Sequence, residues 1–443
     1  MIERLFQLQK HGTTVTREVL AGVTTFAAMA YILAVHPQIL SAAGMDPAAL
    51  VTVTALASAL GTTLMAVLTN YPIALAPGMG VNAFFTYTVC LGHQVPWQGA
   101  LAMVFWNGVL FLALSVIGLR GRLVRAIPES LKIGIQTGIG LFIAFIGLKN
   151  AGLIQANEAT FVSLGAVTQP SVLLAIVGLF LTLALVRRQT PGAILISIGV
   201  ITLVGMVITV DVKGLVTITT LPEAIIGLPA SPLPILGQLD LWYPFREDHA
   251  ITALALILTF LFVDLFDSIG TLIGVSRRAG LVDKQGQLPK LERALVADSA
   301  ATMAGACLGT STVTSYIESA AGVESGGRTG LTGIVVAVLF LIAMCFTGLI
   351  LAVPAVATAP ALIVVGLLMC QGLQDLNWEE PNDYFPAILT ALLMPMTFSI
   401  THGIAAGFIV YCLLMLVSGR GRQVDWIVYV LSALLVLMFA LQG

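Results

Sequence analysis

The chain has 443 residues, of which 58% are hydrophobic and 9% charged, with a formal net charge of −2. Its mean hydropathy is +1.00. A soluble chain carries about 25% charged residues, so this one cannot cover a water-facing surface, and the absence of any basic tract sets nucleic-acid binding aside.

The apolar runs are long enough to be membrane spans of about 20 residues. The N-terminal "MIERLFQLQKHGTTVTRE" is polar and amphipathic, without the pattern of a cleaved signal peptide. Apolar segments follow near 19–36, 49–69, 73–91, 98–119, 129–148, 170–187 and 191–210. A proline- and glycine-rich loop covers 211–248. Further segments lie near 250–276, 292–309, 311–322, 331–352, 355–372, 384–399 and 402–418. A last run, 425–442, reads either as an extra span or as an interfacial helix. The class is therefore all-α and polytopic. Cys90, Cys307, Cys345, Cys370 and Cys412 are scattered through apolar runs with no CxxC, as small buried hydrophobes are.

The basic residues orient the threading. With the N-terminus inside, every Lys and Arg falls on the inner side except Lys149, Lys213 and Arg246.

Two segments are broken. "NYPIALAPGMGVNAFFTYTV" carries Pro72, Pro77, Gly78 and Gly80 at membrane depth. "GTSTVTSYIESAAGV" is polar and β-branched, and turns helical after about Ser315. Irregular backbone survives there only beside protein or a polar cavity. The two are the third segments of successive sets of seven, and short strands are expected in both. The fifth segments also echo each other: "AIPESLKIGIQTGIG" opens on Ile-Pro and "AVPAVATAPALIVVG" on Val-Pro. Seven is odd, so the second set enters from the opposite side. This predicts a 7+7 inverted repeat with a transporter-type substrate site at the breaks.

Ionisable side chains at that depth are few. Asp264 and Asp267 lie in "LTFLFVDLFDSIGTLIGVSRR", three apart on one helix, with Thr271 one turn further along the same face. Each acid costs about 2.5–3.5 kcal/mol to insert, and such residues mark substrate or proton paths. Glu318 and Thr314 lie on the second broken segment, and Asn82 follows the break in the first. Asn82 also suits a helix cap. Asp298 is expected to brace crossing helices. Phe26, Phe84, Phe85 and Phe266 suit stacking on a flat ligand, or simple packing. Half-helix N-termini at the breaks offer N–H donors, and the carboxylates offer acceptors. A flat heterocycle with N–H, C=O and ring nitrogens satisfies both. A carboxyl there also suits a proton carrier. No GxxxxGK[ST] is present, so ATP drive is not expected; HExxH and GxSxG are absent too, against an enzyme.

"TTFAAMAYILAVHP", "PIALAPGMGVNAFF", "LFVDLFDSIGTLIGV", "LGTSTVTSYIESAAGVESGGRTGLT" and "MPMTFSITHGIAAGF" together resemble the AzgA-like purine permeases, a branch of the nucleobase–cation symporter-2 (nucleobase–ascorbate transporter) superfamily. The match runs through nearly the whole chain in order. The resemblance implies a cytoplasmic N-terminus (1–18), a core domain in two parts (19–122 and 249–353) and a gate domain in two parts (123–248 and 354–443). It implies proton-coupled, elevator-type purine uptake at the inner membrane, a homodimer, and no cofactor beyond the coupling proton. By motif match Glu318 binds substrate, with the acidic pair Asp264 and Asp267, with Asn82 and Gly80, and with Thr271, Phe26 and Thr314 around them. Glu318 and Asp267 are the proton-coupling candidates. Which of the two aspartates touches substrate stays open. Adenine-preferring relatives resemble this chain but carry Asn where Asp264 stands. A carboxylate accepts two N–H bonds, matching guanine, so Asp264 favours guanine and hypoxanthine over adenine. His36 replaces a usual Asn and reads as a helix-end residue near the outer surface. The rival readings are an anion carrier on the same fold, which the acids oppose, and an uncoupled nucleobase facilitator.

Overall fold

A computed structural model describes residues 2–117, 122, 126–211, 215–222, 224–247, 250–282 and 288–442. Arg120, Arg125, Lys213 and Lys284 lie outside the described residues, as do Leu123, Asp248 and His249 at the expected domain boundaries.

In chain order, α1 is Ile2–Phe6, α2 Val15–Met29, α3 Ile32–Ser41 and α4 Pro47–Thr69. Strand β1 (Leu75–Pro77) leads into α5 (Met79–Ala83), which continues as a π-helix, Phe84–Gly92. Next come α6 (Trp97–Val116), α7 (Glu129–Asn150), β2 (Ile154–Asn157), β3 (Phe161–Leu164), α8 (Pro170–Arg187) and α9 (Ala193–Gly205). Strands β4 (Thr209–Asp211) and β5 (Leu215–Thr217) precede the long loop. Then follow α10 (Ala250–Arg278), α11 (Leu291–Leu308), β6 (Val313–Ser315), α12 (Ser319–Glu324), α13 (Gly330–Ala343), α14 (Thr347–Leu351), α15 (Ala355–Met369), α16 (Pro381–Thr397), α17 (Ile400–Val417) and α18 (Trp426–Gln442). Among the described residues nine helical stretches are long and apolar enough to cross a membrane. The helices and broken segments fall where the apolar runs predicted them. The first starts earlier than expected, at Val15, so Glu18 belongs to a helix and not to a polar tail.

Local chemistry sets the helix ends. Asp46 caps α4 by accepting from the Ala49 N–H at 2.7 Å, and Pro47 opens the helix. Pro128 and Pro354, the echoed prolines, each stand directly before a helix. Gly309 ends α11 at φ +101, and a Cβ there would come 2.7 Å from the Ile235 carbonyl, so only glycine fits.

Packing joins α4 to α3, α11 and α13, α6 to α10 and α11, and α2 to α12 and α13. It also joins α7 to α15, α16 and α17, α15 to α8, and α17 to α18. The long loop lies over the first group. Ala230 accepts from Thr52, the Gly227 N–H donates to the Cys345 carbonyl, and the Gly237 N–H donates to the Cys307 carbonyl.

Candidate substrate site

The two broken segments meet. β1 and β6 pair antiparallel, with Leu75 opposite Ser315, Ala76 opposite Thr314 and Pro77 opposite Val313. Pro77 fixes its own φ and has no N–H, which keeps this ribbon short. Threonines flank it. Thr62 on α4 brackets Leu75, accepting its N–H and donating to its carbonyl, both at 2.9 Å. Thr302 on α11 does the same for Val313, both at 3.2 Å. The Gly78 N–H continues the ladder to the Thr312 carbonyl at 3.0 Å.

Glu318 and Asp267 are brought together beside this ribbon. Tyr31, Tyr316, Asp267 and Glu318 are near neighbours there. The Tyr31 hydroxyl donates to Glu318 Oε1 at 2.7 Å. Thr314 donates to Asp267 Oδ2 at 3.3 Å. Tyr316 donates to the Pro77 carbonyl at 2.6 Å. Both acids keep partial exposure. Among the described residues no Lys or Arg forms an ion pair with either. Gly78 presses on Asp267 and its donor Thr314, since a Cβ there would lie 2.9 Å from Thr314 Oγ1 and 3.3 Å from Asp267 Oδ2.

The other expected residues have their own partners. Asp264 is fully buried, and Asn107 on α6 donates to its Oδ2 at 3.1 Å. The two aspartates therefore take different partners, and it is Asp267 that meets Thr314 and feels Glu318. Asn82 is no cap: Gly78 holds that position, and the Asn82 amide donates to the Pro77 carbonyl at 3.5 Å and accepts from Ser311. Gly80 faces α7, where a Cβ would strike Ile139. Phe84 and Phe85 are fully buried packing residues; Phe84 meets Phe260 edge-on at 4.7 Å. Phe26 packs on Phe340 and Phe266 stacks on Phe262, each still partly exposed. Thr271 is buried on α10. His36 is not at a surface helix end. It is fully buried inside α3 and bonded to Thr310 at 2.8 Å. Asp298 braces as expected, accepting from Ser268 at 2.6 Å. The N–H groups of Ser319, Ala320 and Ala321 are taken up by the carbonyls of Tyr316, Ile317 and Glu318. The expected open helix N-terminus on that side is thus already engaged; at α5 the N–H groups of Met79, Gly80 and Val81 have no acceptor within the helix.

Sequence reasoning missed Tyr31, Gly78 and Glu18. Glu18 is fully buried and accepts from the N–H groups of Arg328, Thr329 and Thr332, at 2.9, 3.3 and 3.3 Å, and from the Thr332 hydroxyl at 2.6 Å. A cavity of about 490 Å³ under the long loop, lined by Thr220, Cys345 and Thr347 among others, has no charged side chain among the described residues that line it, and neither acid is among them.

The permease family model Xan_ur_permease matches residues 16–406. The chain belongs to this permease family, within the nucleobase–ascorbate transporter superfamily. It is a membrane permease and not an enzyme. It is 44% identical to the adenine permease AdeP of Escherichia coli, over 99% of this chain and 95% of the relative. It is 42% identical to the guanine/hypoxanthine permease PbuG of Bacillus subtilis, over 99% of both chains. Its fold is that of the transmembrane domain of the cyanobacterial bicarbonate transporter BicA, with a TM-score of 0.65, 16% identity, and 88% of this permease and 97% of that chain covered.

Proposed function

We propose that this permease takes purine nucleobases into the cell across the cytoplasmic membrane, coupled to protons. The observation that carries the reading is the placing of Glu318 and Asp267, two part-exposed carboxyls, beside one β-ribbon at membrane depth, where among the described residues no Lys or Arg forms an ion pair with either. Carboxylates accept N–H groups, and a proton on one of them relieves like charge as it crosses, which supports coupling at the same site. Relatives named as adenine and as guanine/hypoxanthine permeases support the substrate class.

Guanine and hypoxanthine are the proposed favourites. Both carry N1–H besides the imidazole N–H, so each presents a donor to each of two acceptor side chains. Adenine's N1 is a bare acceptor, and its second donor is the 6-amino group, set one ring position away, so a carboxylate placed for N1–H meets it less directly. Overall identity does not choose, since 44% and 42% divide between the two kinds of relative.

The packing groups support a moving body of segments 1–4 and 8–11 against a scaffold of segments 5–7 and 12–14, in elevator-type access. The matched brackets of Thr62 and Thr302 support the inverted repeat. The N-terminus inside and a homodimer through the scaffold complete the proposal. An anion carrier of this fold is disfavoured because Asp267 and Glu318 repel anions.

The test is uptake of labelled hypoxanthine in cells lacking their own purine permeases, competed by guanine, adenine, xanthine and uracil, with and without a protonophore. Protonophore-sensitive uptake blocked by guanine is expected. Uptake indifferent to the protonophore would leave a facilitator, and no purine uptake would remove the reading.

A further inference from the structure

We propose that Tyr31 is a positioning residue for Glu318, fixing the direction in which that carboxyl meets the substrate. The inference rests on Glu318 being a substrate-facing group.

Glu318 stands at the N-cap position of α12, yet its side chain makes no capping bond to that helix. Among the described residues its side-chain donor is the Tyr31 hydroxyl, at 2.7 Å. A glutamate with several free torsions is thereby held by one oxygen. Tyr31 is 1% exposed, so its hydroxyl has no ready access to water as an alternative partner.

The phenol is held in turn. Tyr31 sits at the break between α2 and α3. α2 is locked to the element that carries Glu318, because a Cβ on Gly322 would overlap Thr25 and Ala21. Glu18 ties the other end of α2 to the start of α13. Donor and acceptor therefore ride on elements packed as one unit, and the bond persists when a ligand enters. Tyr316 supplies the contrast: it is a second buried tyrosine near the acids, but its hydroxyl serves the Pro77 carbonyl and so the ribbon.

The experiment measures the concentration dependence of hypoxanthine uptake for wild type, Tyr31→Phe and Tyr316→Phe, with thermal stability of each purified full-length protein. A hydrogen bond to a charged group is worth enough that Tyr31→Phe is expected to raise KM about tenfold, with Vmax per folded molecule within about twofold of wild type. Tyr316→Phe is expected to lower thermal stability and to raise KM clearly less than Tyr31→Phe does. An unchanged KM in Tyr31→Phe, or a fall in Vmax alone, overturns the positioning role. A wild type that takes up no purine at all overturns the functional reading and this inference with it.

Discussion

Thr62 accepts the N–H of Leu75 and returns its own hydroxyl to the Leu75 carbonyl, both at 2.9 Å. One side chain thus satisfies both backbone groups of a strand residue that is buried at membrane depth. Thr62→Val removes both bonds without changing shape and leaves the N–H and carbonyl unmet. The expected loss is about 2 kcal/mol or more of stability, from the cost of an unsatisfied buried group. A thermal-melt comparison in detergent checks it; an unaltered melt would show that another group fills in.

Glu318→Gln is expected to keep the fold and cut proton-driven uptake at least about tenfold. The amide keeps an acceptor for Tyr31 but cannot cycle a proton. Normal protonophore-sensitive uptake by this variant would end the case for Glu318 as the coupling group.

Asp264→Asn is expected to leave the order of competing purines unchanged. Its partner is Asn107 on α6, and the substituted amide still offers an oxygen to that donor. A shift toward adenine would show that Asp264 reaches the ligand in another conformation. Asp267→Asn is the informative comparison, because its carboxylate meets Thr314 and Gly78.

Gly78→Ala puts a methyl group 2.9 Å from Thr314 Oγ1 and 3.3 Å from Asp267 Oδ2. The expected result is folded protein with strongly raised KM, since the crowding falls on the candidate pocket, at a cost in stability of about 1–3 kcal/mol. Uptake kinetics with a melt on the same sample separate the two effects.

At the surface, the Arg420 guanidinium bonded to Glu380 at 2.8 Å holds that carboxyl below the usual glutamate range. The pair joins the chain before α16 to the chain after α17. Its contribution is present above the ordinary value of about 4.3 and is lost as pH falls through the lowered native one. Glu380→Gln is therefore expected to lower the melting temperature slightly at pH 7 and not at all in strong acid. An equal difference at both would place the effect in packing. Exposure keeps it small.

Much of this is legible in the sequence. Asp267 and Glu318 stood out because charge at membrane depth is rare, and the ribbon was readable from Pro77, Gly78 and the β-branched run around Val313. What was not legible had no local signal. Tyr31 is an ordinary aromatic in an apolar run, and its role depends on a partner 287 positions away. Glu18 looked like part of a polar N-terminus because its four donors come from Arg328, Thr329 and Thr332. The 3.6-residue period put Asp264 and Asp267 roughly on one side of a helix but did not show which neighbour each would meet. Gly78 and Gly80 looked alike in the sequence; only the fold turns one to the acids and the other to Ile139.

The ribbon between β1 and β6 has a longer-term consequence. Its bonds are main chain to main chain, bracketed by hydroxyls from α4 and α11. The frame that holds Asp267 and Glu318 and the carboxyls themselves are therefore written in different atoms, so exchanging either acid leaves the ribbon's main-chain bonds in place.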